Sequence, residues 1–252
     1  MKKSAIILLT GFLGCGKTTL LSELLRRSPD SRRIAVIQNE FSQTTFDGDI
    51  LRDVGRDFEL RELNTGSIFC VCLFSQFKNT VAEIARQYSP DVIVVEASGI
   101  ADPIAIAELV EDAEVSSVAY LSRIFTVVDA PRFEQVLSRI VGVKHQVQVA
   151  DAVLVNKCDL VDDGALERVS DLIQQINPQA KELRGEFGKF DIEAIFDDEL
   201  SSRECEECGS QTKECGECGS QTEECEERES QTKERGSLTK CGEGGFISKS
   251  FR

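Results

Sequence analysis

Tryptophan is absent from this chain, tyrosine occurs twice, and aromatic residues make up 6% of its 252 positions. The core is therefore expected to be aliphatic with some phenylalanine, as in sheets buried on both faces. Basic runs are missing too: 29 lysines and arginines stand against 44 aspartates and glutamates, a formal net charge of -15. Nucleic acids and anionic membranes are recognised through clustered cations that release counterions, so neither is an expected partner. Nor does any stretch approach the ~20 apolar residues of a membrane-spanning helix. What is present is 41% hydrophobic residues, enough to fill a core, on a length that suits one α/β domain with an appendage.

Ten cysteines raise the question of secretion, and the start of the chain mimics a lipoprotein signal. Two lysines precede an apolar run from Ala5 to Leu9, and Phe12-Leu13-Gly14-Cys15 follows. Thr10 and Gly11 interrupt that run, however, and Gly16-Lys17-Thr18-Thr19 directly after Cys15 has a better explanation. The cysteines are expected in a reducing cytoplasm, as metal ligands or core residues.

Up to about Leu200 short β-branched runs alternate with helical patterns, which predicts a mostly parallel, doubly wound sheet with helices on both faces. Strands are expected at Ala5 to Leu9, Arg33 to Gln38, Asp91 to Glu96, Ile124 to Asp129 and Ala152 to Asn156. Helices are expected at Lys17 to Arg27, Val81 to Tyr88, Pro131 to Ile140 and Gly164 to Ile176, with Pro131 in a first turn. The organisation is thus a phosphate-binding α/β domain over residues 1–200 and a low-complexity tail over 201–252. That tail repeats every ten residues, from Glu204-Cys-Glu-Glu-Cys-Gly-Ser-Gln-Thr-Lys213 onward, and has too few apolar residues to offset its ordering entropy.

Gly11-Phe-Leu-Gly14-Cys15-Gly16-Lys17-Thr18 fits the spacing GxxxxGKT between a predicted strand and a predicted helix, the context of a phosphate-binding loop. Its backbone N–H groups, continued by Thr19, can curl round phosphates; Lys17 would reach the β and γ oxygens and Thr18 would ligate Mg²⁺. Asn156-Lys157-Cys158-Asp159 follows another strand at the same sheet edge. A carboxylate at Asp159 can accept from guanine N1–H and the 2-amino group together, so the expected nucleotide is GTP. Glu96-Ala-Ser-Gly99 ends an apolar strand with an acid suited to Mg²⁺ or the attacking water, then a glycine that can approach a γ-phosphate.

Cys70-Val71-Cys72 is a different kind of pair. In an extended segment the two thiols lie about 7 Å apart, so sharing a metal requires a bend, and a tetrahedral ion wants further ligands. Glu40 is a candidate third ligand on a segment placed to sense the nucleotide; two small buried thiols in a core loop are the alternative.

Together these residues resemble the CobW, HypB and UreG group of metallochaperone GTPases, most closely its CobW-like members. The resemblance spans Ser4 to Phe196 and rests on Gly11 to Thr19, Asn39-Glu40-Phe41, Glu96 to Gly99, Val127-Val-Asp-Ala130 and Asn156 to Leu160. It implies GTP hydrolysis driving metal transfer, switch segments near Glu40 and Glu96, and catalysis that involves Lys17, Glu40 and Glu96. It also implies a cysteine motif holding a transition metal, zinc first, with cobalt, nickel and iron open. Expected partners are GTP and GDP, a client metalloprotein and a second copy of the chain in a GTP-dependent homodimer. Departures are Leu73 where a third cysteine might stand, Ser42 in place of a glycine, and the cysteine repeat where CobW-like proteins commonly carry a β-rich domain.

Cys205, Cys208, Cys215 and Cys218 in the tail have paired-thiolate spacing fit for Zn²⁺ or another soft ion, though repeat slippage would produce the same pattern without a role. Cys15 and Cys158 occupy variable motif positions, and His145, the single histidine, lies on a helical stretch. The functional expectation is a slow GTPase coupling its cycle to metal binding and delivery. The alternative is a metal-buffering protein whose fold only senses nucleotide; the metal load of a chain ending near Leu200 separates the two.

Overall fold

The computed structural model describes residues 2–38, 58–63, 71–99, 101–191 and 195. Among them, seven strands form one sheet: β1 (Ser4–Thr10), β2 (Ile34–Gln38), β3 (Glu59–Glu62), β4 (Val92–Glu96), β5 (Ala119–Asp129), β6 (Ala152–Asn156) and β7 (Lys181–Arg184). Their order is β3-β2-β4-β1-β5-β6-β7, and every pairing is parallel. The helices are α1 (Lys17–Arg27), α2 (Val71–Gln87), α3 (Pro103–Glu111), α4 (Ala113–Ser116), α5 (Phe133–Arg139), α6 (Val141–Val149) and α7 (Asp163–Ile176), with a 3₁₀ turn at Cys158–Leu160.

Side-chain alternation along β1 shows why the sheet is buried on both faces. Ile6 and Leu8 join a cluster with Phe77, Val81 and Ile84 of α2 and Ile106 and Leu109 of α3. Ile7 and Leu9 join the opposite cluster, with Leu20, Leu21, Leu24 and Leu25 of α1. A third cluster packs Val128, Val153 and Val155 against α5, α6 and α7. Continuous apolar strands are what such double coverage requires.

The central strands and α1 lie where the apolar pattern places them; the edges do not. β3 reads Glu-Leu-Arg-Glu and β7 reads Lys-Glu-Leu-Arg. Both are edge strands, where charge guards unpaired backbone groups against another sheet, so no apolar run announces them. β5 begins at Ala119, before the predicted start, because it follows β1 past a register shift at Ile6/Ile7. α2 extends ten residues earlier than the predicted Val81 start, to Val71.

Pro131 is not in a helical first turn. Arg132 N–H closes a turn on Asp129 C=O, and α5 starts only at Phe133. α3 was not expected, yet it carries Asp102 as an N-cap bonded to Ile104 N–H and Pro103 at its first position.

Strands β2, β3 and β4 lie on one side of β1 and β5, β6 and β7 on the other. The crevice beyond the carboxyl ends at such a switch of direction is where open α/β sheets bind ligands. Among the described residues no helix is long and apolar enough to cross a membrane.

Candidate nucleotide site

The loop from β1 to α1 is held in a conformation that only its glycines allow. Gly11 and Gly16 have φ of 137° and 102°. A Cβ at Gly11 would lie 2.3 Å from Val127 C=O, and one at Gly16 would lie 2.3 Å from Asn156 Nδ2. Gly16 is the N-cap of α1 and supplies no side-chain cap. A missing cap costs about 1 kcal/mol, whereas each buried leucine on the apolar face of α1 contributes about 1.5–3 kcal/mol as an upper bound. Packing decides the outcome, and the helix forms with its first N–H groups open to an anion.

Those groups face a cleft of about 410 Å³ lined by Leu13, Gly14, Gly16, Lys17, Thr18, Thr19, Gln38, Glu96, Ala97, Ser98 and Lys157. Most residues expected at a phosphate site therefore meet in one place. Lys17 Nζ donates to Gly11 C=O at 2.9 Å, folding the ammonium back over the loop. Thr18 Oγ1 donates to Glu96 Oε1 at 3.0 Å. Gly99 packs on the loop so closely that a Cβ there would meet Leu13 N at 2.7 Å.

Beneath the loop, Asn156 donates from Nδ2 to Cys15 C=O at 2.9 Å and accepts at Oδ1 from Gly188 N–H at 3.1 Å. Lys157, at a left-handed φ of 62°, donates from Nζ to Gly14 C=O and to Asp129 Oδ2, both at 2.7 Å. Asn156 and Lys157 thus brace the phosphate loop from below. Asp159 sits in the exposed 3₁₀ turn outside the cleft lining.

Cys15 is buried under the loop and Cys158 is half-buried; burial pushes both thiols up, the opposite of an activated thiolate. Cys72 lies in the first turn of α2. Glu40, Cys70, Cys205, Cys208, Cys215 and Cys218 lie outside the described residues. Among the described residues no group of three or more His, Cys, Asp or Glu side chains could hold a metal ion.

Sequence reasoning passed over three contributors. Gln38, buried at the end of β2, donates from Nε2 to Glu96 Oε2 at 2.8 Å. Asp129, ending β5, gathers Lys157 and the guanidinium of Arg132, whose Nε and terminal nitrogen reach Oδ2 at 2.9 and 2.6 Å. Gly188 closes the turn onto Asn156. The first two could have been found, because Gln38, Glu96, Asp129 and Asn156 all close apolar strands with a polar residue.

A family model for the CobW/HypB/UreG nucleotide-binding domain matches residues 5–184. The zinc chaperone YjiA of Escherichia coli (strain K12) is 30% identical over 202 residues, covering 78% of this chain and 62% of that protein. Zinc-regulated GTPase metalloprotein activator 1 of Schizosaccharomyces pombe is 34% identical over 202 residues, covering 76% of this chain and 48% of that protein. The chain spans about half to three fifths of the length of such relatives.

Among solved structures, the Zn(II)-bound YjiA GTPase from E. coli superposes with a TM-score of 0.54 at 26% identity, covering 72% of this chain and 57% of that one. The hydrogenase maturation factor HypB from Archaeoglobus fulgidus shares the fold, with a TM-score of 0.55 at 18% identity over 77% of this chain and 87% of that one. With its phosphate loop, strand-ending acids and parallel sheet inside a match that takes in more than half its length, the chain belongs to the CobW/HypB/UreG family.

Proposed function

We propose that this chain binds and slowly hydrolyses GTP and couples that cycle to holding a transition metal, zinc first, for delivery to a client metalloprotein. The observation that carries the reading is the line of bonds from Thr18 through Glu96 to Gln38. It joins the phosphate loop to the end of β2, two residues before Glu40. Leu63 N–H donates to Gln38 C=O at 2.8 Å, and Gln38 pairs in register with Glu62. The ends of β2 and β3, at Gln38 and Leu63, therefore lie side by side. A change in hydrogen bonding at Glu96 as the γ-phosphate comes and goes has a direct route to both.

Thr18 Oγ1 and Glu96 Oε1 are hard oxygen donors 3.0 Å apart at the cleft, a donor set that fits Mg²⁺ with Thr18 as ligand and Glu96 through water. When bound, that ion neutralises charge on the phosphate oxygens. Lys17 exchanges Gly11 C=O for a phosphate oxygen, the open N–H groups of α1 hold the β-phosphate, and Glu96 orients the attacking water. Turnover is slow until metal or client orders the switch segments, since positioning does most of the work in phosphoryl transfer.

Two titrations test the reading. GTP binds at least roughly tenfold tighter than ATP, and Asp159→Ala erases most of that preference; equal affinities in the unaltered protein refute the base assignment. Zinc affinity differs between the GTP and GDP states, with GTP affinity shifted by the same factor on adding zinc, as linkage demands. Cys70→Ser with Cys72→Ser removes both effects, and identical zinc affinities in the two nucleotide states refute the coupling.

A further inference from the structure

The turn after β7 carries a side chain that neither the phosphate loop nor the Asn156–Asp159 motif explains. Glu186 and Lys189 pair as an antiparallel bridge, and Lys189 N–H donates to Glu186 C=O at 2.8 Å. Between them Phe187 adopts the left-handed region at φ 51° with 67% of its surface exposed. Bulky residues are outliers in that region. Glycine takes it without strain, and a polar side chain would hydrate better. Neither packing nor backbone preference therefore accounts for a phenylalanine here, and strain held by its surroundings concentrates at functional sites.

The surroundings are bonded to the nucleotide motif. Gly185 N–H donates to Val155 C=O at 2.9 Å, and Gly185 C=O accepts from Cys158 N–H at 3.2 Å. Gly188 N–H donates to Asn156 Oδ1, and a Cβ on Gly188 would lie 2.7 Å from Leu20 N of α1. Phe187 is carried between two glycines anchored to the stretch that ends in Asp159. One residue beyond Asp159, Leu160 is 64% exposed. Two large apolar side chains thus stand in water at this sheet edge, one directly after the motif and one in the turn bonded to it.

We propose that Phe187 is the stacking platform for the nucleotide base, holding the flat face of the purine while Asp159 takes its edge. The proposal rests on the guanine reading above and adds the contact which that reading lacks. A carboxylate at the edge fixes the base within its plane and leaves both π faces to water. A phenyl ring against one face buries apolar area on both partners and is indifferent to the hydrogen-bond pattern. Selectivity stays with Asp159, and Phe187 supplies affinity that any purine nucleotide shares.

Because the chain has no tryptophan, Phe187→Trp in the full chain is a single fluorescent reporter. GDP and GTP quench it, whereas Mg²⁺-tripolyphosphate, which offers phosphates without a base, does not. Phe187→Ala weakens GDP and GTP binding roughly 5- to 100-fold, leaves tripolyphosphate affinity unchanged, and Phe187→Tyr restores most of the loss. Phe187→Gly relieves the backbone conformation, so the variant folds, and it loses affinity as the alanine variant does. Unchanged guanine-nucleotide affinity in the alanine and glycine variants overturns the proposal, as does an equal loss of tripolyphosphate affinity, which would make the turn purely structural. If the unaltered protein binds ATP and GTP equally, the guanine reading falls, yet quenching by both nucleotides with a base-dependent loss in Phe187→Ala still supports the stack.

Discussion

Removing the Asn156 side chain tests whether the phosphate loop is held from beneath. Asn156 is 2% exposed and joins two backbone groups distant in sequence, the carbonyl of Cys15 and the N–H of Gly188. Asn156→Ala takes away both partners at once, leaving a buried acceptor and a buried donor without them. Each such orphan costs about 1–3 kcal/mol; with partial relaxation the expected loss is about 2–4 kcal/mol in the nucleotide-free protein. For a folded domain of this size each kcal/mol moves the thermal midpoint by roughly 2–4 °C, so the midpoint falls by about 5–15 °C.

Circular dichroism melts and urea titrations of nucleotide-free protein give the two numbers independently. Asn156→Asp sharpens the test, because it keeps the acceptor for Gly188 and turns a carboxylate oxygen toward the Cys15 carbonyl. It is expected to be as destabilising as alanine at neutral pH and to recover in acid, once the carboxyl carries a proton to donate. A loss below about 0.5 kcal/mol for Asn156→Ala, the scale of surface substitutions, refutes the bracing role.

Glu96→Gln cannot accept from both Thr18 and Gln38 through two carboxylate oxygens, so turnover should fall roughly 10²-fold or more while GTP affinity changes little; unaltered single-turnover rates would exclude a role for the charge. The Arg33 backbone N–H, helped by the Lys2 ammonium, holds the Asp91 carboxyl below its ordinary 3.8. A depressed carboxyl stabilises the fold above its unfolded value, and that contribution disappears as pH falls through the folded one. Asp91→Asn should therefore cost under about 1 kcal/mol at pH 7, with the gap to the unaltered protein closing only below about pH 4 in urea titrations across pH; a gap that is constant down to pH 2 contradicts this. Cys15, 1% exposed with its thiol pushed up by burial, should resist iodoacetamide at pH 8 until urea unfolds the chain, read by peptide mapping; labelling of native protein at the rate of a free thiol would show that the loop opens.

Apart from α3, whose Asp102-Pro103 start signal the apolar pattern did not bring out, what depends on local pattern was legible in the sequence. The runs Ala5 to Leu9, Asp91 to Glu96 and Ala152 to Asn156 declare strands buried on both faces because they are short, continuous and rich in Ile, Val and Leu, and Lys17 to Arg27 declares a helix because its leucines recur on one face. The spacing of Gly11, Gly14, Gly16, Lys17 and Thr18 likewise names a phosphate loop, since the backbone conformation it needs is available to glycine. Tertiary structure alone decided the rest. β3 and β7 are strands because β2 and β6 offer them an open edge, not because Glu-Leu-Arg-Glu or Lys-Glu-Leu-Arg prefers to be extended. Gln38 meets Glu96, Lys157 meets Asp129 and Asn156 meets Gly188 only because the strand order sets their carrier segments side by side. Hydrogen bonds act over about 3 Å, whereas these partners lie 28 to 58 residues apart along the chain, so their meeting is a property of the sheet's topology.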